Sequence, residues 1–73
     1  METYLRVTFS SEGSAPSEIV ERLHSLGFQP TQGNYDFSYD WRREISTEEA
    51  MELANQLTET LRGYKVLFEM ETV

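Results

Sequence analysis

The sequence predicts one α+β domain in which four strands and two helices follow the order βαββαβ. Residues 35–41 alternate aromatic with small polar side chains, which is typical of a strand with one buried face. Ser46 and Glu49 have the spacing of a Ser-x-x-Glu capping box, which starts a helix. A chain of 73 residues has material for one hydrophobic core, so we expect residues 1–73 to form a single domain.

Four segments have the composition of strands. Residues 4–9, 35–41 and 64–70 alternate between two sides, whereas a proline confines residues 28–31 to a sheet edge. The side chains expected to face the core are Leu5, Val7, Phe9, Tyr35, Phe37, Tyr39, Trp41, Tyr64, Val66, Phe68 and Met70. In an alternative three-stranded βαβαβ sheet, residues 28–34 form only a loop.

Two segments carry the signals of helix starts and ends. Ser14 and Pro16 predict the start of the first helix, and Gly27 its end, with Phe28 folded back on the last turn. The capping box starts the second helix and Gly63 ends it. The expected buried stripes are Ile19, Val20, Leu23 and Leu26 in the first helix and Ala50, Met51, Leu53, Ala54, Leu57 and Leu61 in the second.

Right-handed crossovers in two strand–helix–strand units predict an antiparallel four-stranded sheet of order 4-1-3-2 with both helices on one face. Over residues 4–70 this order of elements resembles the ferredoxin-like superfold. The segments 33–37, 39–41 and 61–64, with the acidic capped helix, also look like small stand-alone archaeal proteins of unknown function. That resemblance implies a cytoplasmic protein and no transferable site.

The composition narrows the classes of function. The absence of cysteine excludes disulfides, thiolate metal sites, iron–sulfur clusters and cysteine nucleophiles, and favours a reducing cytoplasm. Thirteen acidic residues against six basic ones, a net charge of −7, should repel phosphate backbones. We therefore expect no nucleic-acid partner, and we expect no membrane partner because no apolar run approaches the roughly 20 residues that a membrane span needs. The acidity favours a basic partner or a cation, and salt adaptation would produce the same balance.

Three candidate chemistries have simpler interpretations in this sequence. RNA-binding folds of this topology stack bases on outward-facing aromatics, but that orientation of residues 35–41 would bury Asp36 and Asp40. The two aspartates are roughly 13 Å apart along a strand, too far to share one metal ion. His24 has no evident catalytic partners. We expect no cofactor, no metal and no enzymatic activity.

The leading hypothesis is a non-enzymatic module that self-associates, for example as a homodimer, or docks on a protein partner through a strand edge or the open sheet face. The residues expected on that surface are Tyr4, Arg6, Asp36, Asp40 and Leu67. The alternative is a small-molecule sensor, because a glycine after the first strand is similar to the amino-acid site of ACT-type regulatory domains. The expected ligand loop consists of Ser11, Glu12, Gly13 and Ser14, with the carboxylate of Glu12 available to an amine.

Overall fold

A computed structural model describes residues 1–13 and 15–73 as an α+β fold with two helices and a four-stranded antiparallel sheet. The elements are β1 (Glu2–Thr8), α1 (Pro16–Leu26), β2 (Gln29–Pro30), β3 (Phe37–Asp40), α2 (Thr47–Thr60) and β4 (Leu67–Thr72). Ser14, the expected cap of the first helix, lies outside the described residues.

The strands lie in the order β2-β3-β1-β4. Counted from the opposite edge, the same neighbours read 4-1-3-2, so β1 and β3 are the central strands. The short β2 pairs with β3 through Gln29 and Pro30, and the three-stranded alternative does not apply. β1 is antiparallel to both of its neighbours, with Leu5 opposite Phe37 on one side and Met70 on the other.

One hydrophobic cluster fills the space between the sheet and the helices. Its buried members are Leu5, Val7, Ile19, Leu23, Phe28, Phe37, Leu53, Leu57 and Leu61. Both helices contribute to the same cluster as the inward side chains of β1 and β3, so both helices cover one face of the sheet. Each large apolar side chain buried in this way contributes roughly 1.5–3 kcal/mol before entropy is subtracted.

A short chain of hydrogen bonds satisfies the polar groups at one end of the core. Thr3 is fully buried in the centre of the sheet. Its hydroxyl accepts a bond of 2.8 Å from the indole Nε1–H of Trp41 and shares another of 2.8 Å with the hydroxyl of Thr72. Because a buried polar group without a partner is costly, these hydrogen bonds let Trp41 pack inward without leaving its N–H unpaired.

The helix boundaries follow from local hydrogen bonding. The backbone N–H of Glu49 donates to Ser46 Oγ, and the N–H of Ser46 donates to Glu49 Oε1, both at 3.2 Å, which completes the predicted capping box. Gly27 ends α1 in the left-handed conformation with φ 108°. The N–H of Phe28 then donates to Leu23 O, which confirms the expected fold-back and places the Phe28 ring in the core.

Two side chains expected in the core are exposed. Phe9 is 41% exposed because β1 ends at Thr8, so the ring lies beyond the last paired residue of the sheet. Met51 is 61% exposed because it projects from the side of α2 away from the stripe that contains Leu53 and Leu57.

The fourth strand starts later than expected. Tyr64 and Val66 precede its first residue, Leu67, although both side chains still pack against the core. Lys65, between them, has a positive φ of 55°, which is incompatible with a continuous strand from residue 64.

Phe37→Ala should remove most of the stability of the domain. Truncating a buried phenylalanine costs about 3–5 kcal/mol, against about 5–15 kcal/mol for a whole small domain. Phe9→Ala is the matched control, and its exposed ring should cost less than about 1 kcal/mol. Thermal melts would compare them. A Phe37→Ala midpoint within a few degrees of wild type would contradict this packing.

Ser46→Ala should destabilise the domain by about 1 kcal/mol, because it removes the side-chain acceptor that caps α2. Ser17→Ala, at an exposed serine of α1, should change the free energy of unfolding by less than about 0.5 kcal/mol. Urea denaturation of the two variants would measure both values. Equal losses would show that the capping bond adds nothing specific.

Candidate interaction surface on the open sheet face and the β4 edge

No helix of the described residues covers the face of the sheet opposite α1 and α2, and we call it the open face. Register with β1 assigns its members, because directly paired residues point to the same side. They are Glu2, Tyr4, Arg6 and Thr8 of β1, Ser38 and Asp40 of β3, and Leu67, Glu69 and Glu71 of β4. Leu67 is the most exposed large apolar side chain among the described residues, at 74%.

Two tyrosines and an arginine form a cluster at the centre of the open face. The rings of Tyr4 and Tyr35 stack with centroids 5.2 Å apart, and the Arg6 guanidinium lies 5.1 Å from the centroid of Tyr35. Arg6 is fixed by bonds of 3.1 Å and 3.0 Å to the backbone oxygen of Asn34 and by an ion pair of 3.4 Å with Glu69. The cluster therefore presents a partly apolar surface whose side chains are fixed by contacts with one another and with their neighbours.

The hydroxyl groups of both tyrosines donate to carboxylates at the margin of the cluster. Tyr35 donates to Glu71 and Tyr4 donates to Glu2. Each hydrogen bond requires the protonated phenol and faces a negative charge, so it raises the pKa of that tyrosine above its ordinary value. The acidic residues surround the rings and give the open face a negative border.

Tyr35 was expected in the core, and that expectation is wrong. β3 begins only at Phe37, so the alternation of residues 35–41 does not extend to its first two residues. The inward aromatics are Phe37, Tyr39 and Trp41, which belong to the core cluster or pack against it. The turn residues Gly33 and Asn34 directly before Tyr35 are the signal in the sequence that could have indicated a later start of the strand.

Asp36 has a structural use that its place on the expected surface did not indicate. Its backbone N–H donates to Leu5 O at 2.9 Å, and its carboxylate Oδ2 accepts the N–H of Val7 at 2.8 Å. The carboxylate thus replaces the strand carbonyl that β3 no longer provides beside Val7. This bond gives Asp36 a role within the fold that requires no partner protein.

Asp40 is also bonded to the main chain. Its Oδ1 accepts the N–H of Arg42 at 2.9 Å, which supports the positive φ of 59° at Arg42 in the turn after β3. Of the five residues expected on the surface, Tyr4, Arg6 and Leu67 lie on the open face, and Arg6 also bonds to the backbone oxygen of Asn34. The structure adds Tyr35, Glu69 and Glu71 to them.

The two edges of the sheet differ in length. β2 has two residues, one of them proline, whereas β4 has six residues and no proline. The N–H and C=O of Val73 both bond to Glu2 of β1, at 2.9 Å and 3.1 Å. Antiparallel pairing alternates from this point, so Glu71, Glu69 and Leu67 also direct their backbones toward β1. The residues whose backbone groups point outward are Phe68, Met70 and Thr72.

Two backbone N–H groups of the expected ligand loop form hydrogen bonds within the loop. Glu12 N donates to Ser10 Oγ at 3.2 Å and Gly13 N donates to Ser10 O at 3.1 Å. Gly13 also lies against the backbone of Tyr64, where a side chain would not fit. Ser14 is outside the described residues. The described part of the loop therefore offers an amino-acid ligand no free N–H at Glu12 or Gly13.

No protein-family model, curated protein or solved structure matches this chain. Within residues 1–13 and 15–73, no three or more histidine or acidic side chains are grouped so that they could hold a metal ion. None of the helices in that part of the chain has the length and apolar character needed to cross a bilayer.

Alkaline titration should show the bond between Tyr35 and Glu71. The difference in tyrosinate absorbance between wild type and Tyr35→Phe isolates Tyr35, whose midpoint should lie above the ordinary 10.0. Because the folded-state pKa is raised, the contribution of this bond to folding is complete below the ordinary value and is lost as pH rises through the raised one.

Glu71→Gln supplies the control for this titration, because it removes the negative charge and keeps an acceptor oxygen. The midpoint of Tyr35 should then move down toward its ordinary value. An unchanged midpoint in Glu71→Gln would show that Glu71 does not hold the hydroxyl.

Proposed function

We propose that this chain is a non-enzymatic, ferredoxin-like interaction module that docks on a protein partner, either another protein or a second copy, through the open face and the β4 edge. The observation that carries the proposal is the asymmetry of the sheet. Helices cover one face, while the other presents stacked tyrosines, an exposed leucine and an unpaired edge strand.

Exposed apolar side chains beside an unpaired strand favour protein contact over simple solvation. Leu67 lies at the start of the edge strand β4, Tyr4 lies on the neighbouring β1, and Tyr35, stacked on Tyr4, lies just before β3. A strand edge with unpaired N–H and C=O groups is a template for another strand, and proteins that do not use such an edge usually shorten or cover it. β2, with its proline, has the features of a protected edge, and β4 does not.

The side chains of the open face also favour binding over catalysis. Tyr35 and Tyr4 are bonded to carboxylates and stacked together, and Arg6 is fixed by Asn34 and Glu69. Such mutually bonded groups make a stable docking surface, whereas a reactive site needs groups aimed at a substrate.

We also propose a cytoplasmic location for this chain. The cysteine-free sequence supports this proposal.

The test compares two exposed apolar residues on opposite layers of the molecule. Leu67→Lys places a charge at the proposed surface, and Met51→Lys places the same charge on α2. Light scattering over a range of concentrations would detect self-association, and tagged chain in a lysate of its source cells would capture another partner. Leu67→Lys should weaken the interaction by about fivefold or more, whereas Met51→Lys should leave it unchanged.

Two results would contradict the proposal. One is a wild-type chain that stays monomeric at high concentration and captures no partner. The other is an interaction that Met51→Lys weakens as much as Leu67→Lys does, since the contact would then lie on the helical layer.

A further inference from the structure

The outer edge of β4 combines an unpaired backbone with a row of acidic side chains. Phe68, Met70 and Thr72 direct their N–H and C=O groups away from β1, and no other strand of the described residues pairs with them. Between these residues, Glu69 and Glu71 project from the open face and are exposed. An incoming strand would therefore meet hydrogen-bonding groups and negative charge at alternate positions.

We propose that the β4 edge binds a basic, extended segment of a partner protein as a fifth strand, with Lys or Arg side chains beside Glu69 and Glu71. This inference rests on the proposed function and specifies its partner. Side chains directly opposite in a strand pair lie about 4.5–5.5 Å apart, close enough for each glutamate to interact with one basic residue.

The side chains next to β4 leave the negative charges of Glu69 and Glu71 largely available to a basic partner. Arg6 of the neighbouring strand β1 is opposite Glu69, and the two side chains form an exposed ion pair of 3.4 Å. Arg6 also bonds to the backbone of Asn34. Glu71 faces Tyr4 and accepts from the hydroxyl of Tyr35, so it has no cationic partner across the pair. A basic strand on the outer side would complement both carboxylates.

A second copy of the chain fits the same edge poorly. In a two-fold pair centred on Met70, the outward backbones match, but Glu69 lies opposite Glu71 of the second copy on the open face, and the reverse pair repeats this. In a pair centred on Glu69, the two Glu69 residues lie opposite each other. Like charges directly across a strand pair are destabilising, so these registers favour a basic partner over self-pairing.

The inner side of the edge specifies the alternate residues of the partner. Phe68 and Met70 point toward the helices, pack against the core and are only partly buried. Apolar side chains at alternate positions of the fifth strand would extend that core. The partner segment should therefore alternate basic and apolar residues, with the basic ones on the same side as Glu69 and Glu71.

The test uses two synthetic peptides about six residues long, one alternating Lys with Val and one alternating Glu with Val. Amide hydrogen exchange followed by NMR on the whole chain would locate binding. The Lys peptide should slow exchange at Phe68, Met70 and Thr72 and leave the amides of Glu69 and Glu71, already bonded to β1, unchanged. The Glu peptide should bind at least about tenfold more weakly.

A charge-reversed variant, Glu69→Lys with Glu71→Lys, provides the matched control, because it keeps the backbone edge and reverses the side chains. It should prefer the Glu peptide. The inference is overturned if neither peptide slows the three outward amides, if both bind equally, or if wild type protects these amides by dimerising. Lys-peptide binding that perturbs only Tyr4 and Tyr35 would also overturn it, while leaving docking on the open face intact. If the proposed function itself is wrong, the comparison of Leu67→Lys with Met51→Lys would show it.

Discussion

The hydrogen bonding of β1 on both sides is the constraint on which the rest of the structure depends. Its odd-numbered residues direct backbone groups to the β3 side, as Leu5 does toward Asp36, and its even-numbered residues direct them to β4, as Glu2 does toward Val73. Its side chains alternate over the same residues, with Leu5 toward the helices and Tyr4 toward the open face. This one strand thus determines which side chains become core and which backbone groups of β4 are left outward.

The surface features are consequences of that arrangement in a small domain. Two helices are enough to cover one face of a four-stranded sheet, and residues 1–13 and 15–73 form no further helix or strand that covers the other. The uncovered face is stabilised by its own contacts, through stacked tyrosines, Arg6 and the carboxylates around them. At the β2 edge a proline limits pairing, whereas the β4 strand contains no proline and carries the charges of Glu69 and Glu71.

Much of the fold could be predicted from the sequence because its signals are local. The capping box of Ser46, the left-handed Gly27 and the alternation of residues 37–41 each specify a backbone conformation within a few residues. The errors arose where a tertiary neighbour decides the outcome. Phe9 is exposed because β4 begins opposite Thr8. The carboxylate of Asp36 bonds to Val7 because β3 begins only at Phe37, opposite Leu5, and does not extend to Val7. The cluster of Tyr35 with Tyr4 needs two distant segments in register, which alternation alone does not specify.

The most direct test of this account is residue-resolved amide hydrogen exchange along β4 in the free chain. The account predicts alternation, with slow exchange at Glu69 and Glu71, whose N–H groups face β1, and fast exchange at Phe68, Met70 and Thr72, whose N–H groups face outward. Uniformly slow exchange along the strand would contradict it, because the edge would then already be paired. Uniformly fast exchange would contradict it as well, because β4 would then not be held by β1.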